Sequence, residues 1–359
     1  MIQTIQLLRF VAALWVAVFH AQHWGYFPQM PGWLRAVAAG GYAGVDIFFV
    51  ISGAIMALST YNSRQGPRSA GQFVLTRFAR IYTGWWPVMA VSVAALSALA
   101  LLPAQTNLLA SALLYPSNFS LHISNVIWTL VYELYFYLLV GASLLLPRPW
   151  RVRAMAALAA TMLVWVLYCW ALGRYEPSAF GQATLLLWFF AAPLVLEFFA
   201  GYLLFHWLQR HPQHHWAPWL LAAAGLASAA VYVAWFHSPN APGMAGFFHW
   251  PERALWAGSA ATALLGAALL APAPQWRSLQ WLARLGDYSF AIYLIHPLLL
   301  VLAARGLQAL GWQHQPSMPA TLGVLLLLVA LSALYYHAIE HPLYQACRRL
   351  IARGLAAKT

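Results

Sequence analysis

The feature that most constrains this chain is a succession of apolar runs, each about 20 residues long and separated from the next by short segments. The runs lie near 5–23, 43–61, 83–102, 126–146, 152–172, 183–208, 217–236, 252–271, 287–306 and 320–340. A helix of that length spans about 30 Å of hydrocarbon, and inside lipid only a helix or a closed barrel satisfies its own backbone. Runs of this length point to helices. With only 7% charged residues against the roughly one quarter usual in soluble domains, the runs are not core helices of a water-soluble protein. The expected fold class is all-α: a polytopic integral membrane bundle of about ten transmembrane helices.

No Lys or Arg precedes the first run and no small-residue cleavage site ends it, so it is expected to stay as a span and not be removed as a signal peptide. The net charge of +12 does not point to nucleic acid, because the basic residues punctuate apolar runs and form no basic face with stacking aromatics. They report orientation instead. With the N-terminus inside, fourteen of the 19 Lys and Arg fall on cytoplasmic segments, Arg35, Arg174, Arg253 and Arg305 fall outside, and Arg9 lies within the first run. The asymmetry places both termini in the cytoplasm, which requires an even number of spans. Cys169 and Cys347 fall at opposite faces, so they form no disulfide with each other, and paired thiols for a metal are absent. No repeat or long linker divides the chain. Residues 1–345 read as one transmembrane domain, 346–359 as a short basic cytoplasmic tail, and 103–125 as an uncharged outer loop that can fold back into the membrane edge.

Ionisable groups inside a bilayer cost several kcal/mol unless they are partnered, so they are the candidate functional residues. Arg9 and His20 stand eleven residues apart, within about 20° of the same helix face and about 16 Å apart along the axis. Ala13 and Val16 lie between them, leaving a stripe along which a slim ligand can run. The second span returns from outside, which puts Asp46 at the depth of His20, and a carboxylate beside an imidazole fixes its tautomer and supports its protonated form. Glu133 shares a face with Thr129, Phe136 and Tyr137 about two turns below the outer surface. Arg77 and Arg80, one turn apart, make a cationic fork suited to phosphate.

Each residue also has a plainer reading. Arg9 can snorkel, His20 can be a hydrogen-bonded interfacial residue, Asp46 can cap a helix, and Arg77 and Arg80 can meet lipid headgroups. Glu133 can be held by neighbouring tyrosines. His296 is harder to set aside, because it lies deep in the ninth run and precedes Pro297. His211, His214 and His215 lack a nearby acidic or cysteine partner, and no metal is expected.

The chain also resembles a known family. Arg9 and His20 with ten residues between them, "GVDIFFVISG" at 44–53, the Arg77/Arg80 pair, "WTLVYELYFY" at 128–137, "LGDYSFAIYLIHPLL" at 285–299 and Glu340 with Pro342 occur in the order seen in the acyltransferase-3 family. Its members are membrane O-acyltransferases that acylate sugars of exopolysaccharides, lipopolysaccharides and related envelope glycans. Two departures stand out: Thr83 and Gly84 follow Tyr82 where a proline is expected soon, and no extra periplasmic esterase-like domain follows the tenth run.

The resemblance implies a ten-helix domain in the bacterial inner membrane, an acyl-coenzyme A donor from the cytoplasm and a carbohydrate or lipid-linked glycan acceptor. It also implies that Arg9, His20, Asp46, Arg77, Arg80 and Glu133 are the functional positions. The expected reaction is transfer of acetyl from acetyl-CoA, without metal. In it His20 is the base or is itself acylated, Asp46 holds the ring, Glu133 holds the acceptor or adjusts the charge, and the three arginines hold the donor. The competing expectation is a transporter or flippase, in which Glu197, His296 and the other intramembrane groups form a relay; the absence of an inverted repeat counts against it.

Overall fold

The computed structural model describes residues 2–26, 31–173, 189–211, 214–236, 250–309 and 318–356. Those residues form a helical membrane bundle with no strand among them. Eight segments are long and apolar enough to cross a bilayer: Gln3–His23, Gly32–Thr60, Pro67–Ala98, Arg148–Ala171, Ala217–Trp235, Pro251–Leu270, Arg277–Ala309 and Met318–Gly354. Two expected spans contain shorter helices, Trp128–Ser143 with 16 residues and Val195–Leu208 with 14. The beginning of the sixth expected span, 183–188, lies outside the described residues.

In chain order the helices are α1 (Gln3–His23), α2 (Gly32–Ala39), α3 (Gly44–Thr60), α4 (Pro67–Ala98), α5 (Leu108–Leu113), α6 (Trp128–Ser143), α7 (Arg148–Ala171), α8 (Val195–Leu208), α9 (Ala217–Phe236), α10 (Pro251–Leu270), α11 (Arg277–Leu285), α12 (Ser289–Ala309), α13 (Met318–Tyr335) and α14 (His341–Ala356). The last helix runs through residue 346, where the tail was expected to begin.

Helix α4 differs most from expectation. It starts at Pro67, not near 83, and its 32 residues make it about 48 Å long. Gly66, at φ 125°, makes the turn that precedes it, and Pro67 occupies the first turn, where its missing N–H costs nothing. Gly71 and Gly84 do not interrupt it, and the first proline inside it is Pro87. Arg77 and Arg80 therefore stand on a continuous helix and not in a loop.

The interior is organised around α3. Where α3 crosses α8, a Cβ on Gly53 would strike the Phe198 carbonyl oxygen and a Cβ on Gly201 would strike that of Val50. Where α3 meets α1, a Cβ on Gly44 would lie 2.5 Å from the Ala12 carbonyl oxygen. Backbones meet at these points because the side chains are absent, the usual way helices pack tightly in lipid. Aromatic rings fill the next layer: Phe136 stacks on Phe198 with centroids 4.1 Å apart, and Phe49 meets Phe136 edge-on at 5.5 Å. The outward faces of α9 and α13 carry exposed Trp219, Leu226, Leu326 and Leu334, as lipid contact requires.

The segment after α4 folds back along it. Tyr82 donates to the Leu113 carbonyl at 2.7 Å, Trp85 to Ser111 at 2.7 Å and Trp86 to Ala112 at 3.0 Å. Those donors lie near the middle of α4, so α5 reaches about 18 Å below the end of that helix.

Replacing Gly201 with Ala should separate α3 from α8 and lower stability by about 1–3 kcal/mol, read as an earlier unfolding midpoint in detergent. Gly323→Ala, where an added Cβ meets nothing within 4 Å, should leave the midpoint unchanged or raise it.

Candidate active site

A cavity of about 350 Å³ lies between α1, α3, α4, α6 and α12, near the end of the bundle that the arginine distribution assigns to the cytoplasm. Its charged lining consists of Arg9, Arg77, Arg80, Glu133 and Asp287. Four of the six residues expected at the site thus share one chamber.

Each of these groups is held by a neighbouring helix. Arg9 Nη1 donates to Gln6 Oε1 at 3.2 Å, and the Gln6 amide donates in turn to Asp287. Arg80 forms an ion pair with the fully buried Glu340, and its guanidinium lies 5.3 Å from the Phe290 ring centroid and 5.7 Å from that of Tyr344. Arg77 lies over Phe73 and Tyr137 at 5.6 and 5.9 Å. Glu133 Oε1 accepts a 2.5 Å hydrogen bond from Ser52 Oγ. Its place beside Arg9 and Arg77 puts it with the cations.

The opposite end of the cavity is lined by Thr129 and Tyr293, whose hydroxyls lie 2.9 Å apart, while Tyr293 also donates to the Val126 carbonyl at 2.8 Å. The next turn of α12 carries His296, fully buried, with its ring centroid 5.8 Å from that of Tyr293. His296 Nε2 lies 3.3 Å from His20 Nδ1. His20 Nδ1 also lies 3.0 Å from the Val16 carbonyl oxygen.

This geometry corrects the expected His20–Asp46 pair. Arg253 Nε lies 3.0 Å from Asp46 Oδ1 and Arg253 Nη2 lies 2.6 Å from Asp46 Oδ2, with both side chains fully buried. The two-pronged guanidinium engages both carboxylate oxygens, and Arg253 also lies over the Tyr42 ring at 5.0 Å. Equal depth was the ground for pairing Asp46 with His20, and depth says nothing about which way each helix is turned. Arg253 was assigned to the outer surface, although it falls inside the run 252–271, and an arginine within an apolar run was the available signal. Glu340 as the partner of Arg80 carried no comparable sequence signal, since the two lie 260 residues apart.

Comparison with known proteins bears on what this chamber is. A family model described as an acyltransferase domain, Acyl_transf_3, matches residues 2–337. The chain belongs to the acyltransferase-3 family. The exopolysaccharide production protein ExoZ of Rhizobium meliloti (strain 1021) is 31% identical over 332 residues, covering 89% of this chain and 94% of that protein. Nodulation protein 10 of Rhizobium leguminosarum bv. viciae is 28% identical over 390 residues, covering 98% and 95%. No solved structure matches the chain. The match to the acyltransferase domain spans the helices that carry every expected site residue and ends just before Glu340, the partner of Arg80.

The ion pair gives a direct test of the role of Asp46. Arg253→Ala strands a buried carboxylate and should cost about 3–5 kcal/mol. Removing both partners, in Asp46→Ala with Arg253→Ala, should cost less than the sum of the single losses, measured by denaturant unfolding in detergent.

Proposed function

We propose that this membrane acyltransferase moves an acetyl group from acetyl-CoA to a hydroxyl of a carbohydrate used in exopolysaccharide or related envelope glycans, in the bacterial inner membrane. The observation that carries this reading is the alignment of the cavity: Arg9, Arg77 and Arg80 line it, and the His296–His20 pair stands beyond the end formed by Thr129 and Tyr293. The likeness to ExoZ, an exopolysaccharide production protein, supports a glycan as the acceptor class.

The roles follow from position. Arg77 and Arg80 meet the phosphates of the coenzyme, and Glu340 holds Arg80 ready between two aromatic rings. Arg9 and Glu133 flank the pantetheine arm, whose amides offer both a carbonyl and an N–H. Glu133 serves the donor here and not the acceptor. Asp46 serves the fold by holding Arg253. A volume of about 350 Å³ lies within the range of small-molecule sites and suits a slender acyl arm.

His20 Nε2 takes the proton of the sugar hydroxyl while the hydroxyl oxygen bonds to the acyl carbon of the thioester. The tetrahedral intermediate then collapses. Its C–S bond breaks, the electron pair leaves on sulfur, and the imidazolium returns the proton to give coenzyme A thiol, leaving His20 neutral and the sugar esterified.

The test is transfer of label from acetyl-CoA to exopolysaccharide repeat units by purified protein in nanodiscs. His20→Ala should lower the transfer rate at least about 100-fold while the unfolding midpoint is retained. Transfer at the wild-type rate by that variant overturns the assignment. Arg77→Ala should weaken donor binding by about tenfold, equivalent to ~1.4 kcal/mol, measured by calorimetry; unchanged affinity removes Arg77 from the donor site.

A further inference from the structure

Two imidazoles in contact must agree on where their protons lie, and here the backbone decides. His296 Nδ1 lies 3.2 Å from the Ile292 carbonyl oxygen, one turn back on α12. A carbonyl oxygen only accepts, so Nδ1 of His296 carries the hydrogen and Nε2 of that neutral ring carries a lone pair. The Nε2 atom faces His20 Nδ1 at 3.3 Å. His20 Nδ1 lies 3.0 Å from a second acceptor, the Val16 carbonyl, so it also carries the hydrogen and shares it between Val16 and His296. The reverse assignment would set nitrogen lone pairs against both carbonyl oxygens. One tautomer therefore remains for each ring, and it leaves His20 Nε2 as the atom with an open lone pair.

The position of His296 is equally constrained. It is fully buried, Tyr293 holds the turn beneath it through Thr129 and Val126, and Pro297 follows it with no N–H to give. Asp46, the carboxylate expected to hold the His20 ring, is bound by Arg253. An imidazole thus stands where a base histidine more commonly has a carboxylate.

We infer that His296 is the positioning residue for His20: its Nε2 accepts the His20 Nδ1 hydrogen, which fixes the ring with Nε2 as the base and gives the charge of the protonated ring an acceptor. The inference rests on the acyl-transfer reading above. As His20 Nε2 gains the hydroxyl proton, the Nδ1–H to His296 strengthens, and no proton leaves the pair before the thiolate reclaims one.

The experiment compares wild type, His20→Ala, His296→Ala and His296→Gln in labelled acetyl transfer, with ring-15N histidine NMR of the folded proteins. His296→Ala should lower kcat about 100-fold with the donor KM within about twofold, because orienting a base affects the chemical step and not donor binding. His296→Gln, whose amide oxygen can accept from Nδ1, should recover about tenfold of that loss. In wild type, the signals that vanish in His20→Ala should be those of a ring protonated at Nδ1. A wild-type kcat in His296→Ala, a Gln variant no faster than Ala, or a His20 ring protonated at Nε2 overturns the inference. The NMR readout holds even if His296→Ala does not fold. Wild-type transfer by His20→Ala would instead overturn the acyl-transfer reading itself, so the two failures are distinct.

Discussion

Charged side chains within a bilayer must find their counterparts on other helices, and that requirement decides which helices of this bundle are neighbours. Asp46 on α3 ties to Arg253 on α10, Arg80 on α4 to Glu340 beside α14, and Gln6 on α1 to Asp287 ahead of α12. Apolar contact alone would not select these partners, since lipid tails are as apolar as the helix faces they would replace. The Asp46–Arg253 contact is the deepest of the set, with both groups fully buried. It spans 207 residues of sequence and holds the first part of the chain against the second.

Helix α3 turns this lattice into a rigid support for chemistry. Its glycine faces let α1 and α8 approach to backbone contact, and between them it presents Ser52 to Glu133 and Asp46 to Arg253. Helix α1, pressed against it at Gly44, carries both Arg9 and His20, one at the cavity and the other beyond its inner wall. Reacting groups mounted on packed helices keep their geometry better than groups on loops.

Much of this was legible in the sequence, and what was not has a common cause. Apolar length and period locate the spans, and residue spacing along one helix puts Arg9 and His20 on one stripe and Arg77 and Arg80 one turn apart. These are properties of a single helix. The partner of each group depends on how two helices are rotated about their own axes, which spacing within one of them does not encode. That is why depth suggested Asp46 for His20 while the azimuth of α12 supplied His296. The length of α4 was missed for a different reason. Its polar first turns lie outside the apolar window, and hydropathy cannot see a helix that continues beyond the membrane.

That length has a mechanical consequence. A single rod of 32 residues carries the two cations at the donor end and, one to two turns further on, the Tyr82, Trp85 and Trp86 donors that pin α5. Pro87 follows immediately, where the helical hydrogen-bond ladder is interrupted and bending is easiest. A tilt imposed at Arg77 and Arg80 would therefore pass along a stiff lever and move the inserted loop on the far side, so that the two aqueous compartments are linked through one axis.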